Sequence, residues 1–186
     1  MNTRERVIGG LTLDGTIDIN RNGILSFEGD NLLDGSGTVI LGDTGPGNRF
    51  DLDGNGTTTI GSDITIRGEN GTIGQQLNIA GAQTLVNNGL ISADVNGGTI
   101  RLTESVVQNN SVIEARNGAT VVLDSNVTNS ASGEILADNS LVLQTGQRII
   151  GGVIRTSNGG VFRANNSGVN YLDGTSIEGD FDIATI

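Results

Sequence analysis

Gly98-Thr99-Ile100-Arg101-Leu102, Ala119-Thr120-Val121-Val122-Leu123 and Ser140-Leu141-Val142-Leu143 are three versions of one phrase. Leu102, Leu123 and Leu143 recur at intervals of 21 and 20, and Thr99, Thr120 and Ser140 take like positions. A second column runs through Leu90-Ile91, Val112-Ile113, Ile135-Leu136 and Val153-Ile154, at intervals of 22, 23 and 18. Asn-rich turns separate the columns: Asn87-Asn88-Gly89, Asn109-Asn110-Ser111, Asn129-Ser130 and Asn165-Asn166-Ser167. Each apolar run is short, rich in β-branched residues and bounded by Gly, Asn, Asp or Ser, which are strand signals. No stretch sustains a helical period without a Gly or Asn break.

A regular period near 21 with three short strands per period is the signature of one coil of a single-stranded parallel β-helix, a β-solenoid. The leucine-rich-repeat pattern L-x-x-L-x-L-x-x-N is missing. A β-sandwich or propeller blade is the competing reading, but neither needs so regular a period. At this spacing the 186 residues make about nine coils, stacked at the strand separation of about 4.8 Å. Asn at the corners can form hydrogen-bonded ladders along the axis, and the narrow interior is expected to hold Ile, Val and Leu with little room for aromatics. Residues 1–186 read as one segment, and neither end reads as capped. The chain enters a coil at Val7-Ile8 and is still strand-like through Phe181-Asp182-Ile183-Ala184-Thr185-Ile186. Exposed strand edges of this kind recruit further strands.

Composition narrows the chemistry. Gly is 30 residues, Pro 1, and Cys, His and Trp are absent. All ten basic residues are Arg. That removes disulfides, thiolate and imidazole catalysis, Cys- or His-ligated zinc, Schiff-base lysine and the P-loop lysine. The net charge of −11 repels phosphate backbones and anionic lipid, so neither nucleic acid nor membrane insertion is expected. No signal-peptide core follows Met1-Asn2-Thr3-Arg4-Glu5-Arg6.

The candidate site is Asp51-Leu52-Asp53-Gly54-Asn55-Gly56. Asp51, Asp53 and Asn55 place oxygens at alternate positions, as at the start of a calcium loop. Strand-like flanks and Ser62 at the twelfth position exclude an EF-hand, leaving a simple calcium turn or an Asp-Gly turn of a coil. The phrase Leu13-Asp14-Gly15 returns as Leu33-Asp34-Gly35 and again as Leu52-Asp53-Gly54. If these phrases stack, Asp14, Asp34 and Asp53 form a column of like charges that calls for solvation or a cation. Calcium aside, no cofactor is expected. The 21 carboxylates are scattered at turns with no Asp-Asp pair, and no residue set for polysaccharide cleavage is complete, so the chain does not read as an enzyme. Sequons at Asn55, Asn70, Asn109, Asn126 and Asn165 read as products of composition. The broken rank Thr99, Thr120, Ser140, Gly160 does not make an ice-binding face.

Leu13-Asp14-Gly15-Thr16-Ile17, Val86-Asn87-Asn88-Gly89-Leu90-Ile91, Gly133-Glu134-Ile135-Leu136-Ala137 and Gly152-Val153-Ile154-Arg155-Thr156 resemble the degenerate repeats of giant bacterial surface proteins, the filamentous-haemagglutinin-like and autotransporter-passenger-like solenoids. The resemblance implies a right-handed β-helix, export to the cell exterior, and a stalk, adhesin or fibre role. It carries no site residues. The functional expectation is a structural extracellular segment, a stalk or head-to-tail filament subunit that associates end to end or with flanking copies of the repeat. The alternative is an adhesin module recognising carbohydrate or a host protein.

Overall fold

The computed structural model describes residues 3–42, 47–74, 77–104, 106–165 and 168–183. Met1-Asn2, Asn166-Ser167 and Ala184-Thr185-Ile186, which figure in the sequence reading, lie outside the described residues. Twenty-five short strands and no helix are found among the described residues. They form three parallel sheets that the chain visits in turn, one nine-stranded and two eight-stranded. Sheet 1 contains Arg4–Val7, Ile24–Glu28, Arg49–Asp53, Asn70–Ile73, Thr99–Leu102, Thr120–Leu123, Leu141–Gln144, Val161–Ala164 and Phe181–Ile183. Sheet 2 runs from Leu11–Thr12 through Asn31–Asp34, Gly56–Ile60, Gln83–Asn87, Val106–Asn109, Asn126–Asn129 and Arg148–Ile150 to Tyr171–Asp173. Sheet 3 runs from Thr16–Ile19 through Thr38–Leu41, Thr65–Gly68, Leu90–Ala93, Val112–Arg116, Glu134–Asp138 and Val153–Ser157 to Ser176–Glu178. The chain is a parallel β-solenoid with three strands per coil.

There are eight full turns and the first strand of a ninth, not nine coils. Along sheet 1, Arg4 pairs with Ile24, Ile24 with Arg49, Arg49 with Thr72 and Asn70 with Thr99, steps of 20, 25, 23 and 29. Thr99, Thr120, Leu141 and Val161 then follow at 21, 21 and 20, and Phe162 pairs with Phe181 at 19. The lengthened early coils consume the stretch that a uniform period of 21 assigns to about half a turn more.

Alternation along each strand sends every second side chain inward, and parallel in-register pairing piles those side chains on their equivalents. On sheet 3, Ile17, Val39, Ile66, Ile91, Ile113, Ile135, Ile154 and Ile177 form one unbroken column of β-branched residues. The six between the two ends are fully buried, each contributing about 1.5–3 kcal/mol of burial. Further along the same strands, the column that begins with Ile19 and Leu41 narrows to Gly68, Ala93, Ala115 and Ala137. Gly68 has φ +143°, and a Cβ there would lie 2.1 Å from the Leu41 carbonyl oxygen. Three of the corners from sheet 3 back to sheet 1 are tight turns with positive φ at both central residues, Arg21-Asn22, Asn117-Gly118 and Asn158-Gly159. Glycine and asparagine are the residues that adopt this conformation most readily. Aromatics are not excluded from the interior: Phe27, Phe50 and Phe162 are among the largest fully buried side chains, and Phe27 and Phe50 stack at 4.8 Å.

Two registers read from sequence are corrected by a single position. Leu102 stands on Leu123 as expected, but Leu123 pairs with Gln144, and Leu143 pairs with Val122. Gln144 holds the inward position through its Nε2, which donates to the Gln147 carbonyl at 2.7 Å and the Tyr171 carbonyl at 3.1 Å, while its buried Oε1 has no partner. Similarly, Val112-Ile113 stands under Glu134-Ile135 rather than Ile135-Leu136.

Candidate functional site

The aspartate column does not exist. Asp34 pairs with Thr12 on sheet 2, whereas Asp53 pairs with Glu28 on sheet 1. Asp14 lies at the corner after sheet 2 and accepts from the Ser36 amide at 3.2 Å. The tripeptide recurs at shorter intervals than the coils it falls in, where Leu11 pairs with Leu33 and Leu33 with Ile60. Its second and third copies therefore lie on different sheets.

Asp51 and Asp53 are brought together. Phe50 and Leu52 point into the core, so alternation puts Arg49, Asp51 and Asp53 on the outer face of sheet 1. Outward carboxylates are ordinarily solvated, yet both aspartates are fully buried. The cause is the long coil between Asn70 and Thr99, whose extra length runs as a strap at positions 77–82 beside this strand. Gly54 donates to the Ile79 carbonyl at 2.7 Å, Gly56 to that of Ala82 at 3.1 Å, and the Ala82 amide to Asn55 Oδ1 at 2.8 Å. From inside the coil, Gln83 Nε2 donates to the carbonyls of Asp53 at 2.9 Å and Gly29 at 3.1 Å.

The two carboxylates differ in their surroundings. Asp53 Oδ1 accepts from the Asn78 and Ile79 amides at 3.2 and 3.3 Å. Its Oδ2 accepts from Ser26 Oγ at 2.9 Å and from the Arg4 guanidinium, which also donates to Ser26 Oγ at 2.9 Å. Burial pushes Asp53 up, but the Asn78 amide, the Ser26 hydroxyl, the Ile79 amide and Arg4 outweigh it and hold the carboxyl below its usual value. Asp51 has no such set, and neither of its oxygens completes a hydrogen bond. Burial, with the charge of Asp53 adding to it, pushes Asp51 up to about 7, while Arg49, the Leu77 amide and Arg4 pull the other way.

Of the three residues in the calcium reading, Asn55 turns its oxygen to Ala82, and both oxygens of Asp53 are engaged. Only Asp51 keeps unengaged oxygens. No group of three or more carboxylates able to hold a metal is found among the described residues. A split carboxylate pair is the arrangement that acid–base enzymes use, but here both members are shut away from solvent behind the strap. Local sequence could pair the two acids; it could not show that a segment from the following coil would cover them. The signal that was available is the long gap between the Leu52-Asp53-Gly54 phrase and the next regular coil.

The Asn turns build a second polar feature, inside the rod. Leu11, Leu33 and Ile60 begin an inward column on sheet 2 that continues as Asn87, Asn109 and Asn129. Asn87 Nδ2 donates to Asn109 Oδ1 at 2.8 Å, and Asn109 Nδ2 to Asn129 Oδ1 at 2.9 Å. Each amide also donates to the corner of the next coil, at the Val112 and Glu134 carbonyls, both 3.1 Å. This is the ladder the sequence leads one to expect. The sequon residue Asn109 is fully buried within it.

Most of the dispersed arginines pair across coils rather than standing free in solvent, and Arg116 pairs with Glu114 on its own strand at 3.2 Å. Arg67 bonds Asp94 at 2.6 Å, Arg163 bonds Asp182 at 2.8 Å, and Arg155 bridges Glu134 at 2.6 Å and Glu178 at 3.0 Å. Arg148 contacts Asp173 at 3.5 Å, and its guanidinium carbon lies 5.5 Å from the Tyr171 ring centroid. No protein family profile, curated protein or solved structure matches the chain.

Proposed function

We propose that this protein is a structural rod, an extracellular β-solenoid segment that serves as a stalk or head-to-tail filament subunit of a bacterial surface protein. The observation that carries this reading is the unbroken inward column from Ile17 to Ile177, with parallel strand pairing on all three sheets around it. Such a rod yields only if inter-coil hydrogen bonds and buried apolar area are lost together. Cross-coil arginine pairs reinforce it, each exposed pair adding about 0–1 kcal/mol. The rod needs neither a reaction nor a cofactor to do this work.

Axial growth by parallel strand addition extends the same pattern. At one end face Ile17, Ile19, Ile24 and Leu25 line an open cavity of about 300 Å³. At the other, Ala164, Val169, Leu172, Phe181 and Ile183 line one of about 470 Å³. Further coils of the same polypeptide, or a second copy, would cover these apolar faces. The family resemblance and the Lys-free acidic surface fit an exported, non-aggregating element.

Electron microscopy of the purified chain tests the reading. End-to-end filaments with an axial repeat of roughly 40 Å, eight turns at the strand spacing, support it. Dispersed particles that bind partners on a glycan array favour the adhesin alternative instead.

A further inference from the structure

Charge is unevenly distributed around the rod. The outer face of sheet 2 carries two in-register columns. Thr57, Thr84, Val106 and Asn126 form one; Thr59, Val86, Gln108, Thr128 and Ile150 form the other. These side chains point outward, with Thr58, Leu85, Val107 and Val127 buried between them. The corner that follows sheet 2 is uncharged as well. Positions 83–89, 106–111, 125–133 and 149–152 contain no Asp, Glu, Arg or Lys. Along this corner Asn110 Nδ2 donates to Asn88 Oδ1 at 2.9 Å. The Arg148–Asp173 pair bounds the strip at one end. Sheets 1 and 3 and their corners, by contrast, carry the ion pairs of Arg67, Arg101, Arg116, Arg155 and Arg163. The neutral strip therefore covers four successive coils of a chain whose net charge is −11.

We propose that this strip is a lateral docking surface for a second copy of the chain, the two sheets packing face to face about a two-fold axis. Charge selects the occupant. Two copies of so acidic a chain repel one another across sheets 1 and 3, whereas across the strip no charge meets a like charge. A flat sheet face is also self-complementary, because one patch can meet its own copy in an isologous contact, and aligned sheet-on-sheet packing is a standard solution for such faces. The side chains suit a partly polar interface. Val106 is 37% exposed, and Leu32, which pairs with Thr59 at the edge of the strip, is 45% exposed. The amides of Gln108 and Asn126 can exchange hydrogen bonds across the contact. The strip offers on the order of 500 Å² per copy, at the lower edge of specific interfaces. The dimer is accordingly reversible and concentration-dependent. It does not rely on what happens at the end faces.

Sedimentation equilibrium of the intact chain over a hundredfold concentration range tests the proposal. The mass should rise towards two chains and stop there, and added salt should strengthen pairing by screening the net charge. The double variant Gln108→Glu/Thr128→Glu should weaken pairing by roughly tenfold or more, with unchanged thermal melting showing that the coil is intact. The counterpart Gln108→Arg/Thr128→Arg should recover pairing when mixed with the Glu form. A single-chain mass throughout, or pairing that the Glu variant leaves unchanged, overturns the proposal. End-to-end growth is told apart because it does not stop at two chains and is indifferent to these positions.

Discussion

Asn109 receives the side-chain amide of Asn87 from one coil and gives its own to Asn129 on the next, at 2.8 and 2.9 Å. An amide side chain carries both a donor and an acceptor, so identical residues at one coil position satisfy one another. The first rung has an incomplete end, because Asn87 stands on Ile60 and its Oδ1 has no partner.

Position within the ladder sets the cost of losing a rung. Asn109→Ala removes both ladder bonds and the bond to the Glu134 carbonyl, and leaves Asn129 Oδ1 buried without a donor. The expected loss is about 2–4 kcal/mol. Asn87→Ala gives up one ladder bond and relieves an already unsatisfied oxygen, so it should cost less. Urea unfolding of the two variants measures the order, and equal costs would count against the ladder.

Asp51 makes stability depend on pH with a definite sign. Its carboxyl is at about 7 in the fold against an ordinary value of 3.8. Between these values the folded chain holds a proton that the unfolded chain has released. Stability from this group therefore falls as pH rises from about 4 to about 7, by on the order of 4 kcal/mol. Asp53 acts oppositely: its depressed pKa contributes stability that is lost on acidification. Asp51→Asn, which mimics the protonated acid, should match the parent near pH 4 and exceed it by about 2–4 kcal/mol near pH 8. Melting curves across this range check the sign, and parallel curves for the two proteins would remove the effect.

The small-residue column on sheet 3 should resist enlargement. Ala115 is fully buried between Ala93 and Ala137, and Ala115→Leu is expected to cost about 1–3 kcal/mol through overpacking. Ile113→Ala, in the neighbouring aliphatic column, should cost about 2–5 kcal/mol through the cavity it leaves. Denaturant midpoints distinguish this account from a loosely filled interior, in which the larger side chain at 115 would be neutral or stabilising.

Calcium should leave the melting temperature unchanged, because Asp53 and Asn55 spend their oxygens on the strap, Ser26 and Arg4. A rise in melting temperature with calcium, abolished by Asp51→Asn, would instead assign Asp51 as a cation ligand.

The fold is legible in the sequence where coils are uniform. From Thr99 through Thr120 and Leu141 to Val161 the coil step hardly varies, and the match of Thr99-Leu102 to Thr120-Leu123 can be read position by position. The reading slips by one at Leu143, because hydrophobic pattern alone seats a leucine inside in preference to Gln144, whose inward position depends on the Gln147 and Tyr171 carbonyls. The coil number is overestimated because the insertions between Ile24 and Thr99 break no apolar run; they only lengthen corners. At the site, Asp51 and Asp53 are visible as neighbours on one strand face. Their burial and the divergence of their pKa values come from Arg4, Ser26 and the strap at 77–82. Those contacts reach across neighbouring coils and are set by coil register, which local sequence does not reveal.

The most direct test of the winding itself is a set of introduced cysteine pairs, since the chain has none of its own. Thr120/Leu141 on sheet 1, Gln108/Thr128 on sheet 2 and Val112/Glu134 on sheet 3 are direct register partners, within the Cα separation a disulfide can span. All three doubly substituted proteins should oxidise readily to intramolecular disulfides, and a control displaced along the strand, Gln108/Asn126, should not. Failure of any one of the three pairs to close, or closure of Gln108/Asn126 in place of Gln108/Thr128, would contradict a chain wound around a single axis in this register.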